Sequence, residues 1–313
     1  MTAAAEPLLA IVGPTASGKS EAAIAVAEAL GAEIVSVDSM LVYRGMDVGT
    51  AKPSPEDRAR VAHHLIDVVE PSEPFTVARY RELAEAAVRG IRDRGRRVLL
   101  VGGSGLYFRA VVDRLAFPGT DPRTRGWLEA EARVLGAERL HARLREVDPV
   151  AAARIEPANV RRTVRALEVA AVTGQPFSAF AEDWERYEPG RVRAAGIEIA
   201  REVLAARIEA RVRAMVEGGL LEEVRRLVER GLGRWLTASQ AIGYAEFARH
   251  LAGELTLEEA IASTVRRTKE LARRQMVWFR RDPRIRWFRA GPEGAVGLVD
   301  QLVEYLRWDL CAS

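Results

Sequence analysis

The chain has 313 residues, 48% of them hydrophobic and 29% charged, enough to fill an α/β core and a smaller module without disulfides or a structural metal. A formal net charge of +3 and a pI near 9.2 permit a nucleic-acid partner without requiring one, and the single cysteine, Cys311, excludes an intramolecular disulfide or a cysteine-built zinc site. No apolar run approaches the roughly 18 residues of a membrane span, and the N-terminus lacks the basic-then-apolar order of an export signal, so a soluble cytoplasmic protein with no membrane partner is expected.

Leu8 to Gly13 (LLAIVG) is an apolar run ending in glycine, and Ala22, Ala25, Val26, Ala29 and Leu30 follow at helical spacing, which predicts strand, loop and helix. The loop, Gly13, Pro14, Thr15, Ala16, Ser17, Gly18, Lys19 and Ser20, matches G-x-x-x-x-G-K-S/T in the context its mechanism demands. Backbone N–H groups and the helix N-terminus cradle a diphosphate, Lys19 reaches its outer oxygens, and the Ser20 hydroxyl is placed to ligate Mg²⁺. A second strand, Glu33 to Val37, delivers Asp38 and Ser39 at its carboxyl end; a third, Arg97 to Val101, delivers Gly102, Gly103, Ser104 and Gly105. Val77 to Arg94 between them reads as a crossover helix, so right-handed βαβ units and a parallel sheet follow, with ligands expected at the carboxyl ends of the strands.

From about Pro118 to Pro189 no strand pattern appears, and prolines 122, 149, 157 and 176 break a helical stretch. Gly196 to Ala200 restores an apolar strand, and Leu204, Ile208, Val212 and Met215 mark one face of a long helix. Further helices are predicted over about 218–230, 238–251 and 256–281. The expected fold is α/β: a P-loop NTPase-like parallel-sheet core of residues 1–117 and 190–313, with an inserted helical domain at 118–189 and C-terminal helices.

The third strand carries no acid of the Walker-B kind, whereas Asp38 ends an apolar strand and so is a candidate either for metal ligation or for proton acceptance. His63 and His64 are adjacent and would point to opposite faces of a strand, one packed and one making a polar contact. Only three of 47 basic residues are lysine, Lys19, Lys52 and Lys269; where arginine fills nearly every basic position, a lysine that remains marks a place for a compact point charge.

These stretches carry a resemblance. GPTASGKS at 13–20, Asp38 to Asp47 leading into Gly49-Thr50-Ala51-Lys52-Pro53, His63 to Asp67 and Val101 to Tyr107 resemble the successive signatures of the tRNA dimethylallyltransferase family. Pro157, Asn159, Arg161, Arg162 and Arg165 to Val169 with Thr173-Gly174, then Gln240 to Tyr244 and Arg273 to Arg280, continue it, so it spans about residues 8 to 281. The resemblance implies transfer of a dimethylallyl group from dimethylallyl diphosphate to the exocyclic amine of the adenine 3′ of the anticodon in tRNA, with Mg²⁺; a monomer is expected. Asp38 is then the base, Ser104 a donor to the departing oxygen beside Lys19, and Arg207 and Arg211 reach the outer phosphate. The tRNA would meet Asp38, Ser39, Met40, Leu41 and Ser104, with Arg125, Arg161, Arg162 and Arg165 in the insertion. It would also meet residues 266–281, where seven basic side chains face one acid and Arg267, Arg274 and Arg281 recur every seven residues. Leu41 stands where the family usually has glutamine, Glu156 where histidine is common, Ala62 where proline is common, and Ser104 where threonine is usual. The residues themselves leave two other activities open: a P-loop kinase acting on a small molecule or nucleotide, and prenylation of free adenine nucleotides.

Overall fold

The computed structural model describes residues 6–115, 117–180, 184, 186–235 and 237–307; Cys311 lies outside the described residues. Strands β1 (Leu8–Val12), β2 (Ala32–Ser36), β3 (His63–His64), β4 (Arg97–Gly102), β5 (Val192–Ile199) and β6 (Ile285–Ala290) form one parallel sheet in the order β3-β2-β4-β1-β5-β6. β1 and β2 are buried at every residue, as strands covered on both faces must be. One face packs Val35, Leu100, Tyr80, Phe108, Tyr244 and Phe279 into the larger core. The other packs Leu9, Ile11, Leu99 and Ile197 against Ala23, Ala27 and Leu302.

The helices of this unit are α1 (Lys19–Leu30), α2 (Pro55–Arg60), α3 (Val77–Asp93) and α4 (Gly105–Val112). The chain divides into two compact units, Met1–Arg114 with Glu188–Ser313, and Leu115–Tyr187. The second unit holds α5 (Pro122–Leu135), α6 (Ala137–Val147), α7 (Pro149–Arg154) and α8 (Val160–Thr173) around Leu128, Leu140, Leu144, Val164 and Leu167. Two of its prolines are starts rather than breaks: Pro122 and Pro149 open their helices behind the caps Asp121 and Asp148, where a missing N–H costs nothing.

The first unit resumes with β5, α9 (Arg201–Glu217), α10 (Leu220–Glu229), α11 (Tyr244–Leu251), α12 (Leu257–Phe279), β6 and α13 (Val299–Leu306). Two sequence expectations change. The helix expected over 238–251 is interrupted: Ala238–Gln240 is a 3₁₀ turn, and Gly243, at φ 98°, turns the chain before α11. Strand β6 is not among the sequence expectations: its exposed arginines, Arg286 and Arg289, interrupt the apolar run of Ile285, Trp287, Phe288 and Ala290. No helix among the described residues is long and apolar enough to cross a membrane.

Candidate active site

The phosphate loop joins β1 to α1 at the carboxyl end of the sheet, and Gly18 caps α1 in the left-handed region at φ 81°. A Cβ there would lie 3.0 Å from the backbone N of Ala295, so glycine serves both the turn and the close approach. Three braces that no local pattern reveals hold the loop. Gln275, on α12, accepts the Thr15 N–H at 2.8 Å. Ala295 donates its N–H to the Ser17 carbonyl at 2.8 Å. Arg207 donates from Nε to the Ala16 carbonyl at 2.9 Å and from Nη1 to the Pro292 carbonyl at 3.0 Å. Arg207, expected at an outer phosphate, lines a second pocket with Gly18, Lys19, Ser20 and Arg211, while its Nε and Nη1 go to these backbone carbonyls.

Lys19, Ser20, Asp38, Leu41 and Arg211 line one pocket with Gln275. Lys19 donates to the Pro14 carbonyl at 3.0 Å, and its pKa is pushed down to about 8, by burial first and then by the charge of Arg211, with Asp38 opposing. Burial also pushes the Arg211 guanidinium down, Asp38 pulls it back and Arg207 adds repulsion. Two crowded cations facing a single carboxylate form a site short of negative charge, suited to an anionic ligand.

Asp38 follows β2, whose ladder Val37 extends by donating its N–H to the Val101 carbonyl at 2.8 Å. One carboxylate oxygen of Asp38 accepts the Met40 N–H at 2.8 Å, an Asx-type turn that fixes the side chain. Among the described residues the other oxygen accepts no protein hydrogen bond and is left as an open acceptor on a residue that lines the pocket.

Ser104 caps α4, its hydroxyl oxygen accepting the Tyr107 N–H at 3.5 Å. Capping uses a lone pair and leaves the hydroxyl proton to donate; Val101 and Gly102, just before it, line the pocket. The glycines around Ser104 are there for packing. A Cβ on Gly102 would sit 2.4 Å from the Val37 carbonyl oxygen, one on Gly103 2.3 Å from the Gln275 amide, and one on Gly105 2.0 Å from the Trp278 indole. Gly102 thus admits the Val37 backbone, and Gly103 and Gly105 admit α12.

The residues expected to meet tRNA separate into groups. Leu41 lines the pocket, Met40 packs against the larger core, and Ser39 is half-exposed. In the insertion, Arg161 and Arg162 are exposed on α8. Arg125 and Arg165 instead converge on the buried carboxylate of Glu168, at 2.6 and 2.7 Å. On α12, Arg267 is paired with the buried Glu246, so the expected basic face is not uniform. Arg274 and Arg281 are exposed and among the described residues meet no ion-pair partner. His63 lines the pocket with Nδ1 2.7 Å from the Val61 carbonyl, while His64 meets Glu33 at 2.7 Å. Phe279 and Phe288 are core, with Trp278 and Trp287 packed against it.

A strand, glycine-bounded loop and helix at the carboxyl edge of a parallel sheet, with two cations and one acid around the same pocket, define a protein with a P-loop NTPase-like core. The family described as IPP transferase matches residues 41–282, and the chain belongs to that family. A protein from Moorella thermoacetica named tRNA dimethylallyltransferase is 52% identical over 297 residues, covering 92% of this chain and 91% of its own length. Two solved structures are similar. The tRNA isopentenylpyrophosphate transferase of Bacillus halodurans is 41% identical, with a TM-score of 0.68 over 96% of this chain and 97% of its own. The corresponding transferase of Staphylococcus epidermidis is 31% identical, with a TM-score of 0.67 over 96% and 99%.

Proposed function

We propose that this protein transfers a dimethylallyl group from dimethylallyl diphosphate to the exocyclic amine of the adenine 3′ of the anticodon in tRNA, releasing diphosphate. The observation that carries the reading is the pocket that Lys19, Ser20 and Arg211 line together with Asp38. As the allylic C–O bond breaks, its electron pair leaves with the diphosphate, whose growing charge needs fixed cations and N–H donors. Lys19, Arg211 and the amides of the phosphate loop supply them, and the Ser104 hydroxyl donates to the departing oxygen. The adenine nitrogen forms the new C–N bond and sheds one proton, which the open oxygen of Asp38 accepts.

The residues fit Mg²⁺, which binds through one or two hard oxygen ligands together with substrate phosphates and water. The exposed Ser20 hydroxyl beside Lys19 would hold it, and when bound it would neutralise charge on the leaving diphosphate. An adenine in a loop can be splayed out of its stack without opening a duplex. Arg274 and Arg281, with Arg161 and Arg162 of the insertion, are the cations we assign to the tRNA backbone.

The test is transfer of label from dimethylallyl diphosphate, labelled in the prenyl carbons, to an unmodified tRNA transcript with Mg²⁺ present. One diphosphate should be released per label incorporated. Transfer of the γ-phosphate of ATP to a small molecule, with no prenyl label in RNA, would establish the kinase instead. Equal prenylation of free adenine nucleotides would remove tRNA from the reading.

A further inference from the structure

The segment from Val37 to Ser54 connects β2 to α2, carries Asp38, and contributes Leu41, Thr50, Ala51 and Pro53 to the pocket wall. Its first half is stitched to the body of the fold. Val42, Tyr43 and Met46 are buried, and the Val68 and Asp67 N–H groups donate to the Val42 and Leu41 carbonyls at 2.8 and 3.1 Å. Its second half is held differently. The successive N–H groups of Asp47, Val48 and Gly49 donate to Glu223 at 2.8, 2.8 and 3.1 Å. The Tyr244 hydroxyl donates to the same carboxylate at 2.7 Å.

Glu223 is 2% exposed, so its carboxylate has left water and depends on those four donors. It stands in the first turn of α10, where the helix N-terminus favours a negative charge. Three consecutive amides converging on one anion form the concavity that backbone elsewhere offers to a free phosphate or carboxylate; here a side chain fills it. Tyr244 reaches Glu223 only because residue 49 is glycine: a Cβ there would lie 2.6 Å from the tyrosine ring. Burial, and then the charge of Glu223, push the Tyr244 phenol far above its ordinary range, so it stays a donor at any working pH. The clamp thus joins Gly49-Thr50-Ala51-Lys52-Pro53 to Gln240 through Tyr244, two of the stretches that mark the family resemblance and that the transfer chemistry leaves without a task.

We propose that Glu223, with Tyr244 seated against Gly49, is a positioning residue for prenyl transfer: it sets the pocket wall formed by Thr50, Ala51 and Pro53, and so the place of the acceptor relative to Asp38. The inference rests on the transferase reading above. Glu223→Gln keeps the volume but cannot accept from all four donors, and Tyr244→Phe keeps the ring and removes one donor. Displacing a reacting group by an ångström costs up to about 10²-fold in rate.

The experiment measures single-turnover prenyl transfer, reading rate constant and amplitude separately, together with binding of dimethylallyl diphosphate. Glu223→Gln should lower the rate constant by about tenfold or more and Tyr244→Phe by about threefold, with the double variant losing less than the product. Donor affinity should stay within about twofold, because the phosphate loop is untouched. A purely structural clamp would reduce amplitude, the share of active molecules, and leave the rate constant alone; that result overturns the inference. Tyr244→Phe carries the test by itself should Glu223→Gln not fold. Wild-type protein that transfers no prenyl group would instead overturn the transferase reading, and this inference with it.

Discussion

Arg165 distinguishes the structure from the sequence most sharply. The resemblance places it on tRNA; the structure ties it to Glu168, which is fully buried and accepts from Arg165 at 2.7 Å, Arg125 at 2.6 Å and the Asp121 N–H at 3.1 Å. Arg165 also donates to the Pro118 and Gly119 carbonyls, at 2.7 and 3.1 Å. Arg165→Ala removes one of two cations from a buried carboxylate and frees two carbonyls, which should cost about 2–4 kcal/mol. Urea unfolding, or hydrogen exchange along α8, should show the loss. Desolvation works to raise the Glu168 pKa, but hydrogen bonds from Arg125 and Arg165 hold it below the ordinary 4.5. The cluster's contribution is therefore complete above that pH and is lost as pH falls through the depressed value, so the variant and wild type should converge in acid. Over the same substitution, the slope of log tRNA affinity against log salt should stay unchanged. Arg162→Ala, on the exposed face of α8, should do the reverse: stability within about 0.5 kcal/mol and a slope flatter by about 0.7–0.9. If Arg165→Ala flattened the slope and left stability intact, the assignment to Glu168 would be wrong and Arg165 would belong to the RNA.

Asp38→Asn should slow the chemical step by on the order of 10² to 10⁴ with donor affinity and Mg²⁺ dependence little changed; recovery of the rate in excess Mg²⁺ would make Asp38 a metal ligand instead. Gly105→Ala puts a Cβ 2.0 Å from the Trp278 ring and should destabilise by about 1–3 kcal/mol; an unchanged melting temperature would mean that α12 is not seated there. Removal of Arg274 or Arg281 should flatten the salt slope of tRNA binding by about 0.7–0.9 each, and a slope equal to wild type would return that face to solvent. Lys19→Ala should weaken dimethylallyl diphosphate binding while tRNA affinity holds, and equal loss of both would argue against the phosphate-loop assignment.

The phosphate loop could be read from the chain because its mechanism ties a strand, a glycine-bounded loop and a helix into one local pattern, and Asp38 because it ends an apolar strand. What escaped are contacts made across long stretches of chain. Gln275 reaches Thr15 across 260 residues, and nothing near either residue announces the bond. The pairing of Arg125 and Arg165 with the buried Glu168 escaped as well, because Glu168 lies three residues from Arg165 but 43 from Arg125 and no periodicity marks its burial. The scarcity of lysine did mark something physical at Lys52. Its side chain is 2% exposed and its ammonium lies 2.5 Å from the Tyr43 carbonyl, 2.6 Å from Asp47 and 2.5 Å from Asp67, a cluster of oxygens suited to a compact charge. Lys269 is exposed, and nothing in the structure explains it.

The central claim is tested most directly on the RNA. Unmodified tRNA treated with this protein, dimethylallyl diphosphate and Mg²⁺ would be digested, and its fragments weighed by mass spectrometry. The account predicts one added dimethylallyl group, on the exocyclic amine of the adenine 3′ of the anticodon, and none when Asp38 is asparagine and the reaction is stopped within the wild-type half-time. A tRNA that gains no prenyl group, or gains it at another base, would contradict it.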